Sequence, residues 1–187
     1  MNNIHNLTII ILTYRTEEKI LINCLDSIDS QANVLIVENS NNNEFKKKIE
    51  NKYPDLNVVL SGKNLGYGAG NNFGLKIVKT KYALILNPDA TLHSNALENF
   101  LKAQKKIQEF AILAPYIQED KDRSKANQFE NSSPIKVENV KGFAMFLNLS
   151  EFRDVGFFDE NFFFYFEEID LCKRLINHGK KIYLIPE

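Results

Sequence analysis

The chain has 187 residues, of which 44% are hydrophobic and 25% charged, and 23 basic against 24 acidic side chains leave a formal net charge of −1. That is the balance of one globular domain with a real core, or one domain and a small appendage. Nucleic-acid binding is left without the basic excess it requires, and no apolar run approaches the roughly 20 residues that cross a bilayer.

The opening "MNNIHNLTIIILTY" lacks the basic flank and small-residue cleavage site of a signal peptide. Leu7 to Leu12 is a continuous β-rich apolar run, as a strand buried on both faces requires. Ile20, Leu21, Cys24, Leu25 and Ile28 then share one helical face over Glu17–Ser30, with Thr16 as N-cap. Val34–Val37 is a second strand, Asn43–Tyr53 a polar helix and Asn57–Leu60 a short strand. A helix is expected over Ala69–Val78, a strand over Tyr82–Leu86, a helix from a Ser94 cap to Gln108, and a strand over Phe110–Ala114. Gln118–Pro134 is polar and aperiodic and reads as a mobile loop or flap. A strand returns at 140–149. The aromatic run Phe162–Phe166 reads as core and sheet packing, with a ligand-stacking platform as the alternative. Glu167–His178 reads as a helix with Leu171, Cys172 and Leu175 inward and Gly179 as its cap, and "KIYLIP" as a last strand. Cys24 and Cys172 lie far apart in helical patterns, which fits free thiols in a reducing cytoplasm.

Strands alternating with helices predict an α/β sandwich with a mostly parallel sheet. Ligands bind such sheets at the carboxyl ends of the strands. "ENSNNN", "SGKNLGYGAGNN" and "NPDAT" all follow strands and should gather on one edge. Glu38 and Asn39 are either a turn or a pocket wall for a nucleoside. The five glycines of residues 62–75 are either a flexible helix start or a loop that lets a backbone approach an anionic ligand. Their spacing is not the dinucleotide fingerprint, and Thr13, Tyr14 and Arg15 after the first strand include no glycine. Asp89 is either turn chemistry or the single carboxylate that a Mg²⁺ or Mn²⁺ needs when a diphosphate completes its shell, with Asn87 beside it. Glu167 and Glu168 open a helix where the macrodipole favours anions. Asp170 and Arg174 are spaced to pair. A carboxylate beside aromatic walls suits a general base, and the alternative is a well-capped amphipathic helix. His5, His93 and His178 share no metal-ligand spacing.

In combination these segments resemble the family-2 glycosyltransferases of the GT-A fold, especially the rhamnosyltransferase-like branch, from about Leu7 to Pro186. "ILTYR" matches the family's opening strand ending in T-Y-N, and "ENSN" its D-N-x-S turn with Glu38 for Asp. Asn64, Gly66, Gly70 and Asn71 match N-x-G-x-x-x-G-N. Leu86–Asp89 matches the L-N-P-D form of the metal-binding D-x-D motif. Gly156 to Arg174 matches a long block in which Glu168 replaces the usual Asp.

The resemblance implies an inverting transferase that moves a sugar from a UDP- or dTDP-linked donor to a saccharide or lipid-linked acceptor in surface polysaccharide biosynthesis. It implies a divalent cation (Mg²⁺ or Mn²⁺) on Asp89, and a catalytic base at Glu168 with Glu167 as the fallback. Thr13, Tyr14, Glu38, Asn39, Asn64, Gly66, Asn71 and Asn87 would hold the nucleotide sugar. Gly142, Phe143 and Asp159 would border the acceptor. Residues 1–115 would form the nucleotide-sugar half and 116–187 the acceptor half of one domain. The family pattern continues to a metal-binding histidine and to acceptor and peripheral-membrane contacts. This sequence ends at "IPE", before that position, so the expected domain is truncated at its C-terminus. The implied location is the cytoplasm, at the inner face of the plasma membrane. Two other readings are a non-catalytic nucleotide-sugar-binding module and a sugar nucleotidyltransferase. The latter needs a glycine-rich basic loop where "TYRTEEK" stands. The transferase reading requires the Asp89 turn and the start of the Glu167 helix to share one cleft.

Overall fold

A computed structural model of the chain describes residues 3–116 and 133–185. Eight strands form one sheet in the order β3-β2-β1-β4-β7-β5-β8-β6. They are β1 (Leu7–Thr13), β2 (Asn33–Glu38), β3 (Asn57–Leu60), β4 (Tyr82–Leu86), β5 (Ile112–Pro115), β6 (Ile135–Val137), β7 (Ala144–Asn148) and β8 (Ile182–Ile185). Among the described residues the α-helices are α1 (Glu18–Asp26), α2 (Asn43–Lys52), α3 (Tyr67–Ile77), α4 (Ala96–Lys106) and α5 (Glu167–Asn177). β1 pairs in parallel with β2 and β4, β2 with β3, and β5 with β8. β7 lies antiparallel between β4 and β5, and β6 antiparallel to β8. The sheet is therefore mixed, with its parallel part in the first half of the chain.

The central strands are apolar on both faces because both faces are covered. One layer joins Leu7, Ile9, Ile11, Leu84 and Phe146 to α1 and α4 through Leu21, Cys24, Phe100 and Leu101. The other joins Ile10, Ile85, Met145 and Leu147 to α3 and α5 through Leu75, Leu171, Cys172 and Leu175. Among the described residues no helix is long and apolar enough to cross a membrane.

Several boundaries differ from expectation for local reasons. Thr16 does not cap α1. Its hydroxyl accepts from Tyr14 N at 3.3 Å, and Glu17 stands at the cap without a side-chain bond. The helix stops at Asp26, where Ser27 Oγ donates back to Cys24 O at 2.6 Å and competes with the backbone ladder. Ser94 does not cap α4 either; Asn95 occupies that position. The helix α3 begins at Tyr67, two residues before Ala69. The strand expected at 140–149 is confined to Ala144–Asn148, and the one at 110–114 is shifted to Ile112–Pro115. The expected flap lies largely outside the described residues. Its last residues lead into β6, an element with no periodic signal in three residues. The end of α5 is as expected: Gly179 takes φ +73°, and Lys180 N donates to Leu175 O at 3.0 Å. Phe162–Phe166 departs most. It is not core, and Phe163 to Phe166 face solvent.

Candidate active site

The carboxyl ends of β1, β2 and β4 lie side by side, which brings Thr13, Glu38 and the Asn87–Asp89 turn to one edge. Thr13 is buried, and its hydroxyl reaches Val37 O at 3.4 Å. Tyr14 is exposed, with the Arg15 guanidinium 5.3 Å from its ring centre and Arg15 itself at φ 51°. Glu38 is buried and accepts from Ser40 Oγ at 2.7 Å and Asn42 N at 3.1 Å. It thus folds its own turn.

Asn39 uses its whole amide inside the chain. Its nitrogen donates to Asn64 Oδ1 at 3.0 Å and Gly66 O at 3.1 Å. Its oxygen accepts from Leu65 N at 3.0 Å and Ser61 Oγ at 3.3 Å. Asn64 Oδ1 also accepts from Gly66 N at 3.0 Å. Asn39 and Asn64 therefore shape the loop between β3 and α3.

The glycines of that segment allow close packing. A Cβ on Gly70 would come within 2.7 Å of Leu12, and one on Gly74 within 2.9 Å of Ile10, so α3 lies tight on β1. A Cβ on Gly68 would meet Phe158 at 3.0 Å and Glu167 at 3.3 Å. Gly66, at φ +81°, faces the Phe163 carbonyl, which takes the Tyr67 N–H at 3.0 Å. The close approach read from the glycines is thus an approach by this chain's own segment 158–168. That segment is stapled to α3 a second time by Asn72, which donates to Phe158 O at 2.9 Å and Glu160 Oε1 at 3.0 Å and accepts from Phe158 N at 3.1 Å.

The staple fixes the start of α5. Glu167 is buried against Gly68, and its Oε2 has no hydrogen-bond partner; burial pushes this carboxyl above the ordinary range. Asn71 Oδ1 is the other buried polar atom without a partner among the described residues. Glu168 is half-buried, and its carboxylate makes no hydrogen bond or ion pair among the described residues. Its charge nevertheless reaches the Tyr67 phenol, which burial first and Glu168 second hold well above its usual pKa. Asp170 pairs with Arg174 at 2.7 Å, and the same guanidinium donates to Val155 O and Phe157 O, locking the turn before the helix. Asp159 Oδ1 accepts from Asn161 N at 2.9 Å and so holds a turn of its own.

Two bonds join the far parts. Asn87 N donates to Phe143 O at 2.8 Å, and Tyr67 Oη donates to Gly142 O. The segment 142–143, ahead of β7, thus touches the Asn87–Asp89 turn on one side and the Tyr67 phenol beside Glu167 and Glu168 on the other. Because β7 runs antiparallel to β4, its beginning meets the end of β4, which is why this segment arrives at that edge. Asn87, Phe143, Gly142 and the Tyr67 phenol are linked by this chain of contacts, with Asp89 two residues from its first member and the charges of Glu168 and Glu167 felt at its last. A cavity of about 510 Å³ opens next to it, lined by His93, Asn95, Asn99, Phe143 and Tyr116, but neither Asp89 nor Glu168 lines it. Tyr67 and Asn72 escaped the sequence reading; the polar Asn71–Asn72 pair inside a small-residue helix was the available signal.

The turn after β4 offers one free carboxylate. Asp89 is exposed, and its carboxylate has no hydrogen bond or ion pair among the described residues; it raises the Cys24 thiol, which burial already pushes up to about 12. No group of three His, Cys, Asp or Glu residues among those described could hold a metal alone. One carboxylate suffices where a diphosphate brings its own oxygens, so the residues fit a cation bound together with such a ligand.

Solved structures share the fold. A mannosyltransferase from Pyrobaculum calidifontis, solved with GDP-Man and Mn2+, superposes with a TM-score of 0.75 at 13% identity over 97% of this chain and 55% of its own. TarS from S. aureus, solved with UDP-GlcNAc, gives 0.73 at 16% identity over 97% of this chain and 56% of its own. The fold is that of the GT-A glycosyltransferases. The chain belongs to glycosyl transferase family 2, whose profile matches residues 8–172. It is 26% identical to the rhamnosyltransferase WbbL of Escherichia coli, over 95% of this chain and 80% of that protein. It is 27% identical to the low-salt glycan biosynthesis hexosyltransferase Agl10 of Haloferax volcanii, over 90% of this chain and 61% of that protein. The chain therefore spans a little over half to four-fifths of the lengths of these relatives.

Proposed function

We propose that the chain is the catalytic domain of an inverting glycosyltransferase that moves a sugar from a UDP- or dTDP-linked donor to a saccharide or lipid-linked acceptor in surface polysaccharide assembly. The observation that carries this reading is the pair of bonds through 142–143, which ties the Asp89 turn to the neighbourhood of Glu168 within a family-2 fold. Relatives that are rhamnosyltransferases support the polysaccharide context. Neighbours solved with UDP-GlcNAc and GDP-Man support a nucleotide-sugar donor.

In this reading Asp89, with Asn87 beside it, holds a divalent cation shared with the donor diphosphate. When bound, that ion offsets the charge that builds on the leaving group. Glu168 accepts the proton of an acceptor hydroxyl. The hydroxyl oxygen forms its bond to the anomeric carbon as the bond from that carbon to the diphosphate oxygen breaks, so the configuration inverts and the nucleoside diphosphate leaves. Glu167, buried and opposite Gly68, positions the helix start in place of serving as base. The buried, unpaired thiols fit a reducing cytoplasm, and the same reading places the enzyme at the inner face of the plasma membrane.

UDP or dTDP with Mn²⁺ is expected to raise the melting temperature, and Asp89→Ala to remove the metal-dependent part of that shift. Glu168→Gln is expected to bind nucleotide normally and lose transfer by 10²-fold or more, on the order of a general base's contribution. Normal transfer by that variant would overturn the base assignment, and no response to any nucleoside diphosphate would overturn the function.

A further inference from the structure

Five consecutive aromatic residues, Phe162–Phe166, lead into Glu167–Glu168, and four of them are turned to solvent. Phe163 is 59% exposed, Phe164 58%, Tyr165 68% and Phe166 64%, with Ile169 beside them at 47%. A contiguous apolar patch of this kind marks a binding surface.

The backbone beneath the rings is fixed. Phe163 O accepts from Tyr67 N at 3.0 Å, Phe162 N donates to Asp159 O at 3.2 Å, and Phe166 O accepts from Asp170 N at 2.9 Å. Tyr165 and Phe166 are held at φ 71° and 73°, a left-handed conformation that is rare for bulky residues. Strain of this sort persists where surrounding contacts over-determine it, and it clusters at functional positions. Here it turns the rings outward. Phe164 and Tyr165 pack at 4.2 Å between ring centres with a 54° tilt, which makes an angled wall that exists before any ligand arrives.

Charge selects the occupant. The wall is flanked by Asp159, Glu160, Glu168 and Asp170; Glu160 is paired with Lys76 and Asp170 with Arg174, while Glu167 is buried. The unpaired remainder is acidic, which repels phosphates and anionic lipid surfaces. A neutral polyol complements it. The C–H faces of a sugar ring rest on aromatic rings, and its hydroxyls donate to carboxylates.

We propose that Phe164, Tyr165 and Phe166 form a platform on which a neutral sugar ring of the acceptor stacks, beside Glu168. This rests on the transferase reading and names the acceptor's contact surface. The test follows the phenylalanine and tyrosine ring resonances of the chain by NMR while methyl glycosides of rhamnose, galactose and N-acetylglucosamine are added. At least one glycoside is expected to shift the ring signals. A Phe164→Ala/Tyr165→Ala variant is expected to bind that glycoside at least about fivefold more weakly, as the loss of two ring contacts implies. Its melting temperature and its binding of UDP or dTDP with Mn²⁺ should be unchanged. Three results would overturn the platform: no glycoside response, capture by phosphatidylcholine vesicles that the variant abolishes, or a dimer in sedimentation that the variant abolishes. Nucleotide binding without a glycoside response would sink the platform alone. A lack of nucleotide binding would sink the transferase reading instead.

Discussion

Gly66 is the residue on which the geometry of the site is most exposed to test. Its φ of +81° and ψ of −176° belong to a region that essentially glycine alone occupies. A Cβ there would meet the Phe163 carbonyl group at 3.0 Å or less. Gly66→Ala must therefore strain the backbone, at about 1–3 kcal/mol. It must also push away the carbonyl that accepts the Tyr67 N–H, at about 1–3 kcal/mol for groups left unsatisfied. Together these amount to about 2–6 kcal/mol, or roughly 4–24 °C in melting temperature for a domain of this size. Gly62 is the control. It has φ +82° but nothing within 4 Å of an added Cβ, so Gly62→Ala carries only the left-handed penalty of about 1–2 kcal/mol. Parallel circular-dichroism melts of the two variants isolate the contact from the conformation. If Gly66→Ala melts at the same temperature as Gly62→Ala, segment 158–168 does not seat on Gly66, and the account of how α5 is positioned fails.

Glu167 gives a pH signature. Burial raises its carboxyl above the unfolded value, so the native state binds more protons across that window and stability falls as pH rises through it. Glu167→Gln should remove that slope, and its stability relative to the unaltered chain, read from urea midpoints, should improve as pH rises above the ordinary carboxylate range. A constant difference would refute the burial argument. Burial also holds the Cys24 thiol at about 12 and the Cys172 thiol at about 11. Neither should react with a disulfide reagent at pH 8 until the chain unfolds, and fast labelling of the folded chain would contradict the packing of α1 and α5 on the sheet. Asn72→Ala should loosen the 158–168 segment, raising hydrogen exchange at Phe158 with little change at β1.

The parallel half of the sheet was legible because its strands are continuous apolar runs separated by amphipathic helices. The Asn87–Asp89 turn was legible because a proline and two polar residues end such a run. The antiparallel entry of β7 was not, since five apolar residues carry no direction. The glycines of residues 62–75 announced a close approach, but spacing does not say what approaches; the answer was Leu12, Ile10 and the Phe163 carbonyl. Phe162–Phe166 read as core because aromatic residues usually are, and two left-handed backbone angles, invisible in sequence, turned them out. Asn39 looked like a ligand contact because nothing in the sequence reveals that Asn64, Leu65, Ser61 and Gly66 consume its amide.

Three glycines inside α3 make it a poor helix by itself, by about 3 kcal/mol against alanine. It is held in shape by Leu12 and Ile10 from the beginning of the chain and by Phe158, Phe163 and Glu167 from near the end. A nascent chain that has not yet supplied residues 158–168 therefore has little reason to keep this helix wound. Emergence from the ribosome should consequently deliver no half-built candidate site. It should arise in one late cooperative step, once β1 and residues 158–168 are both present.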